Sequence, residues 1–332
     1  MHYRISLIDA TRHGPKLLRM SLDRLYRLII VTGVLVAFTG IEACERTPPA
    51  AHVDTTAGRR DSVPDSTSTP VVGSGWNAAA GPVLLVQGET RDEAIVLLAD
   101  DRDSTALTQV RALADRGASV ALFGRGGSTL TGQLGVASGA PDPECRLWPL
   151  RNVHGEGNAN TWAVGFVGGQ ASALPLDSID VLSARDSTAL VAEASRLASL
   201  VTAPTDPSFQ GLRFTAHDIR RFEASPGVQA IVAHLVRKVN QEANPQEEQT
   251  LLIAERDSGA TSGPYQLVYA ERVHGLEEQS TMPEVIAGIR IAGRSTLIVA
   301  RDSDAGVAYV MLERTGPRRW RIRWTSSMTQ CG

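Results

Sequence analysis

The residues with the clearest chemical potential are three arginines close to the C-terminus. Arg319, Arg321 and Arg323 alternate with apolar residues that include Trp320 and Trp324. Because successive side chains of a β-strand point to opposite faces, this alternation predicts the apolar residues on one face and the arginines on the other. Guanidinium groups bind phosphate and carboxylate bidentately, so the arginine face is a candidate ligand-binding surface for an anionic partner. The alternative is an edge strand whose charges prevent pairing with another strand.

Patterns typical of metal or nucleophilic chemistry are absent from the rest of the sequence. The histidines after the N-terminal region are His154, His217, His234 and His274, and none has a histidine four residues away or an HExxH neighbourhood. No GxSxG pattern marks a nucleophilic serine. We therefore expect no metal site and no cofactor. Carboxylates cannot be paired across space from sequence, so a hydrolase with dispersed catalytic residues stays open and its catalytic residues unknown.

Short apolar runs predict several strands in the first half of the folded region. The runs 83–86 and 94–98 are separated by a polar turn and predict a β-hairpin. Apolar residues at helical spacing between 107 and 113 predict a helix that ends near Gly117. Further strands are predicted at 119–123 and 161–167.

Two principal amphipathic helices are predicted in the middle of the chain. The first begins at Asp186, and the second follows Ser225 and Pro226 and ends near Asn244. Both have apolar residues at i, i+3, i+4 and i+7, so each is expected to bury one face. His234 stands beside two basic residues and is expected on the solvated side of the second helix.

The C-terminal third alternates apolar runs with turn residues, which is typical of an antiparallel meander. The predicted fold class is α+β, mostly antiparallel β-meanders with two principal amphipathic helices. The globular α+β region is placed at 81–332, with β units at 81–183 and 250–332 and a helical insert at 184–249. Segments 83–150 and 250–325 show similar successions of strands and turns, which suggests two degenerate copies of one unit. The alternative is that any two meanders look alike.

The N-terminal segment has the pattern of an export signal. Basic residues, among them Arg24 and Arg27, precede an apolar run at 28–41. A membrane-spanning helix needs about 20 apolar residues, and this run is shorter, so cleavage is favoured over permanent spanning. The alternatives are an uncleaved amphipathic anchor and an apolar helix with no targeting role. Met20 would give a compact basic region, which suggests that translation starts there.

The run ends in Ile41-Glu42-Ala43-Cys44, which resembles the lipobox of bacterial lipoproteins. Glu42 is the position that departs from the family pattern. The resemblance implies that residues 1–44 contain a signal peptide and that Cys44 carries the lipid, so that the membrane is a partner through this anchor. It also implies sorting to the outer membrane, facing the periplasm, because Glu45 rather than Asp follows the cysteine.

Composition predicts a disordered tether and argues against nucleic acid as a partner. Residues 45–80 are rich in Pro, Ser, Thr and Asp and poor in large aliphatic residues, which predicts a disordered tether. The formal net charge of the 332 residues is −3, so no overall field attracts nucleic acid.

The remaining cysteines form an even pair if Cys44 is lipidated. An oxidising compartment would favour a disulfide between Cys145 and Cys331. The alternative is two buried thiols that never meet.

These observations favour an exported, lipid-anchored envelope protein with a non-catalytic binding or assembly role. The proposed partner is an anionic envelope component, bound by the arginine face. A periplasmic hydrolase and a purely structural surface lipoprotein are the alternatives.

Overall fold

The computed structural model describes residues 76, 81, 83–100, 104–136, 147–155, 161–168, 170–202, 206–239, 245–258, 263–277 and 280–329. The chain divides into two compact units, Met1–Arg60 and Asp61–Gly332, and every described residue belongs to the second. The export segment with Cys44, together with Cys145 and Cys331, lies outside the described residues. Lipidation and the disulfide therefore stay predictions.

The first six strands form a closed antiparallel barrel. They are β1 (Val83–Gln87), β2 (Glu93–Leu98), β3 (Ser119–Phe123), β4 (Thr129–Leu134), β5 (Leu147–Gly155) and β6 (Val164–Val167). Neighbouring strands follow the order β1-β2-β5-β4-β3-β6. The predicted hairpin is confirmed, because β1 and β2 pair from Val83 opposite Leu98 to Gln87 opposite Ala94.

The barrel interior is apolar and is covered by the first helix, α1 (Ser104–Asp115). Every barrel strand contributes to one buried cluster, which includes Leu85 and Trp148, and Val110 of α1 joins it. The helix ends at Asp115, close to Gly117 as predicted, and the φ of +60° at Gly117 is the left-handed conformation that glycine favours. The amide of Ala118 donates to the Leu113 carbonyl at 3.0 Å and so satisfies one of the last helical acceptors.

Two five-stranded antiparallel sheets follow the barrel. The helix-side sheet has the order β12-β11-β10-β9-β8 and the central sheet has the order β16-β15-β14-β13-β7. The strands of the helix-side sheet are β8 (Asp177–Ser178), β9 (Thr215–Ser225), β10 (Val228–Val239), β11 (Gln246–Asp257) and β12 (Gln266–Leu276). Those of the central sheet are β7 (Ala171–Ala173), β13 (Met282–Ile291), β14 (Arg294–Ser303), β15 (Gly306–Gly316) and β16 (Arg319–Thr325).

The central sheet is buried on both faces. On one face Leu297 and Val310 pack with Val232 and Ile253 of the helix-side sheet. On the other face Ile298, Met311 and their neighbours pack with Leu84 and Phe166 of the barrel. Burial on both faces explains why these strands are nearly continuous apolar runs rather than alternating ones.

The second helix, α2 (Ala184–Ser199), packs on the outer face of the helix-side sheet. Ala194 and Leu197 join Ile219 and Leu252 in the cluster between them. The hydroxyl of Ser183 accepts a hydrogen bond from the Asp186 amide at 3.2 Å, which caps the helix. Neither helix within the described ranges has both the length and the apolar character that crossing a bilayer demands.

The helix predicted after Pro226 is wrong, because this segment forms strand β10. Its residues from Ala230 to Val236 are buried on both sides, between α2 and the central sheet. A strand of this kind is apolar at nearly every position and therefore also matches a helical stripe. Gly227, with a φ of +75°, turns β9 into β10. The segment 184–249 is consequently a helix followed by two long strands rather than a helical insert.

Trp76, which the sequence analysis assigned to the tether, belongs to the core. It is only 6 % exposed, its ring lies 4.7 Å from that of Trp324, and its indole nitrogen donates to the Gly81 carbonyl at 2.6 Å. The folded part therefore includes Trp76, because an isolated tryptophan in a polar sequence can still dock on a core.

The prediction of mostly antiparallel sheet is confirmed, but with two helices the fold is mostly β rather than clearly α+β. Helix α2 confirms the first of the two principal helices that were predicted, and α1 confirms the shorter helix predicted before Gly117, whereas the second principal helix is replaced by β10. Segment 83–150 lies within a closed barrel, whereas 250–325 is divided between two open sheets. The two segments thus differ in topology.

Candidate functional site

Strand β16 is the outer strand of the central sheet and carries the candidate arginines. Among the strands of the described ranges it pairs with β15 alone. Arg319, Arg321 and Arg323 are exposed, whereas Trp320 between them is buried. We call Arg319, Arg321 and Arg323 the arginine strand. All three side chains are exposed to solvent on this edge strand.

A β-bulge makes one detail of the sequence analysis wrong. The pairing of β16 with β15 shifts by one residue between Ile322 and Trp324, which leaves Arg323 as the extra residue. Trp320 and Ile322 therefore pack between the two sheets, whereas Trp324 packs against the barrel. A bulge reverses the alternation of side chains, so the apolar residues of β16 serve two different cores.

Two members of the arginine strand have spare binding capacity. Arg314, on the neighbouring strand, is held by two hydrogen bonds to the Glu255 carboxylate, at 2.8 and 3.0 Å. The side chains of Arg319 and Arg321, in contrast, form no hydrogen bond or ion pair with any residue in the described ranges. Their guanidinium groups are therefore available to an external oxyanion.

His234 is buried rather than solvated, which corrects its predicted place on a helix flank. It lies on β10, is 4 % exposed, and its Nε2 lies 2.7 Å from Oε1 of Gln249. Burial is the main reason that the pKa of His234 is lowered, and the nearby His217 adds to this effect. The two imidazole rings are 4.9 Å apart.

The other histidines lie apart from this pair. His154 contacts Thr131 in the barrel at 3.2 Å, and the ring of His274 faces Phe209 at 6.3 Å. Within the part of the chain that the structure describes, no three His, Cys, Asp or Glu side chains are arranged to hold a metal ion.

A buried ion cluster lies beside the end of α2. Oε1 of Glu248 lies 2.7 Å from Arg237 and 3.2 Å from Arg272, while its Oε2 has no hydrogen-bond partner. The guanidinium of Arg237 lies 4.7 Å from the ring centroid of Phe214. Arg272 also donates to the Ala198 carbonyl of α2 at 2.8 Å, which binds the helix end to the sheet. This cluster has a structural role, since each cation is held by the fold.

A second carboxylate, Glu271, joins the helix-side and central sheets. It forms an ion pair with Arg301 of β14 and accepts a hydrogen bond from the Tyr269 hydroxyl at 2.7 Å. Burial, followed by the negative charge of Glu271, raises the pKa of Tyr269. Glu248, Glu255 and Glu271 thus each contact at least one arginine of the protein, although Oε2 of Glu248 accepts no hydrogen bond.

The structure adds one feature that the sequence analysis missed. A cleft of about 470 Å³ opens between β9 of the helix-side sheet and β13 of the central sheet, and we call it the edge cleft. Arg221 and Arg290 line it. Its formation depends on β8 and β9, which were not predicted, so no sequence signal pointed to these two arginines. Comparisons with protein-family models, curated proteins and solved structures give no match for this chain.

Proposed function

We propose that this chain is an exported envelope protein, anchored by lipid on Cys44, whose folded part binds an anionic envelope component without catalysing a reaction. The proposed location is the outer membrane, facing the periplasm. The observation that carries the proposal is the pair Arg319 and Arg321, exposed on an outer strand and unpaired among the described residues.

The spacing of these arginines suits a polymer of anionic groups. Residues two apart on a strand are separated by about 7 Å and point to the same side. Each guanidinium can therefore contact a different phosphate or carboxylate of an extended partner. Trp320 lies between them in the chain and is buried in the apolar cluster between the helix-side and central sheets. The strand that presents the two arginines is therefore fixed in place.

The carboxylates in the interior support a binding role over a catalytic one. Glu255, for example, is 1 % exposed and accepts hydrogen bonds from both Arg314 and the Trp320 indole. A general acid or base must reach a substrate atom, and this carboxylate is already occupied. The buried acids therefore stabilise the scaffold that presents the arginine strand.

The binding proposal is tested by elution of the full chain, in neutral detergent, from immobilised polyphosphate. The variant Arg319→Gln/Arg321→Gln should elute at lower salt, because contacts with phosphates make binding salt-dependent. Glutamine is preferred to glutamate, since Arg321 lies opposite the buried Glu313 and a second carboxylate there would be destabilising.

The matched control is Arg116→Gln/Arg185→Gln, which removes the same charge from exposed positions on other elements. It should elute like the wild type. If the arginine-strand variant also elutes like the wild type, the anion-binding role is wrong and the arginines serve only to protect the edge.

The anchor is tested separately by labelling bacterial cells that express the chain with radioactive palmitate. The wild type should become labelled, and Cys44→Ala should not. An unlabelled wild type would contradict the lipid anchor without affecting the binding result.

A further inference from the structure

The edge cleft is lined by residues of β9, β10 and β13 and of the segment between β7 and β8, and by none of the arginine strand. It forms because β8 is only two residues long and pairs with β9 only at Arg220 and Arg221. Beyond Arg221, β9 has no second neighbouring strand in the described ranges. The segment that leads from β7 to β8, with Leu174 and Pro175, forms one wall.

Arg221 is the cation in this cleft that the protein leaves unused. It is half-buried, and its guanidinium forms no hydrogen bond or ion pair with another described residue. Asp177 is its partner in the strand register, yet the two side chains form no ion pair within the described part of the chain. Arg290, in contrast, is occupied, because it donates to the Glu223 carbonyl at 2.8 Å.

The charge of Arg221 acts on a desolvated part of the protein. Burial raises the pKa of Tyr265, and the positive charges of Arg256 and Arg221 act against this rise. The Tyr265 hydroxyl is buried without a hydrogen-bond partner.

Two neutral polar side chains line the cleft with donors to spare. Oε1 of Gln229 accepts from Arg256 at 2.7 and 3.1 Å, but its amide nitrogen donates to no described atom. The Ser258 hydroxyl likewise has no partner among the described side chains. The carboxylate of Glu223, by comparison, already accepts from the Gly227 amide at 3.2 Å.

The remaining walls of the cleft are apolar. Leu174 and Phe222 are buried at 1 % and 4 % exposure, and Val228 is half-buried beside them. A volume of about 470 Å³ is in the usual range for small-molecule sites. The carboxylates of Asp177 and Glu223 also line the cleft, so a ligand that fits has one anionic group placed at Arg221 and an apolar part beside Pro175 and Val228.

We propose that the edge cleft binds a small organic anion, whose carboxylate or phosphate is held by Arg221 and whose apolar body lies against Pro175 and Val228. This site goes beyond the proposed function, since it is separate from the arginine strand and takes a small molecule rather than a polymer. Gln229 and Ser258 donate the further hydrogen bonds.

Isothermal titration calorimetry of the full chain in neutral detergent tests this proposal with three probes. Benzoate carries a carboxylate, phenyl phosphate carries a phosphate, and benzyl alcohol has the apolar ring alone. At least one of the two anions should bind, and benzyl alcohol should not. Binding of benzoate alone identifies a carboxylate ligand, binding of phenyl phosphate alone identifies a phosphate ligand, and binding of both identifies a general oxyanion site.

Arg221→Gln should weaken binding of the anion about tenfold or more, because it removes a charged hydrogen-bond donor. Arg221→Lys keeps the charge but not the bidentate geometry and should lie between Arg221→Gln and the wild type. The matched control is Arg213→Gln, which removes the same charge from an exposed residue outside the cleft and should bind like the wild type.

Three results would overturn the site. They are an absence of binding by both anions, equal binding of benzyl alcohol, and wild-type affinity in both Arg221 variants. None of them bears on elution from polyphosphate, so this inference and the proposed function fail independently.

Discussion

Glu255 on β11 and Arg314 on β15 form a bidentate ion pair that links the helix-side and central sheets. The two hydrogen bonds are 2.8 and 3.0 Å long, and the carboxylate is 1 % exposed. The Trp320 indole donates to the same carboxylate at 2.6 Å, so one acid joins three strands. The pair fixes the position of the helix-side sheet relative to the central sheet, next to the apolar cluster that lies between them.

Removing one partner of this pair should be strongly destabilising. Arg314→Leu leaves the Glu255 charge buried without its cation, and we expect a loss of about 3–5 kcal/mol in the free energy of unfolding. Urea denaturation measures this loss. The double variant Glu255→Gln/Arg314→Leu keeps an acceptor for Trp320 and removes the charge, so it should recover most of the stability. A double variant as unstable as the single one would contradict this explanation.

Two buried tyrosines should respond in opposite ways to loss of the hydroxyl. The Tyr265 hydroxyl has no hydrogen-bond partner, so Tyr265→Phe should leave the free energy of unfolding unchanged or raise it by about 1 kcal/mol. The Tyr269 hydroxyl donates to Glu271 at 2.7 Å, so Tyr269→Phe should lower it by about 1–3 kcal/mol. Thermal denaturation of the two variants side by side tests the pair, and equal effects would refute the assignment.

His234 should make the protein less stable in mild acid. Because burial lowers its pKa in the folded state, the unfolded chain binds a proton at a higher pH than the folded one. The contribution to stability is therefore complete above the unfolded pKa of about 6.5 and is lost as the pH falls below it. His234→Gln should reduce the fall in the free energy of unfolding between about pH 7 and about pH 5.

The control for this pH dependence is His154→Gln, at an exposed position in the barrel. It should retain the wild-type pH profile. An unchanged profile in His234→Gln would show that another group dominates acid destabilisation.

Trp76 should behave as a core residue. Trp76→Ala removes a buried ring that contacts Trp324, and we expect a loss of about 3–5 kcal/mol in the free energy of unfolding. Trp76→Phe keeps an aromatic ring and should lose less. Wild-type stability in Trp76→Ala would show that Trp76 belongs to the tether and not to the core.

Most strands were predictable because their apolar runs are short and bounded by turn residues. The runs at 83–86 and 94–98 became β1 and β2, and the predicted C-terminal runs became parts of β11 to β16. Strand β9 escaped detection because its residues, such as Arg220 and Arg221, are largely polar. It pairs with β10 directly across the turn at Gly227, and this hairpin was not recognised because β10 itself was predicted as a helix.

The error at β10 has a specific physical origin. Ile231 packs towards α2 and Val232 packs towards the central sheet, so neighbouring residues are both apolar. Spacing cannot separate this arrangement from a helix, and only the β-branched composition of the run favoured a strand. Local sequence likewise could not identify Arg221 as a candidate binding residue, because the cleft that it lines depends on β8, a neighbouring strand of only two residues.

Because the central sheet is covered on both faces, the barrel and the helix-side sheet share a common wall. Separation of either layer exposes an apolar face of β14 and β15 to water, which ties the layers into one cooperative unit. Amide protons of those strands should exchange with deuterium only when the whole folded part opens. The folded part should therefore unfold as a single cooperative unit, although its strands are divided among three sheets.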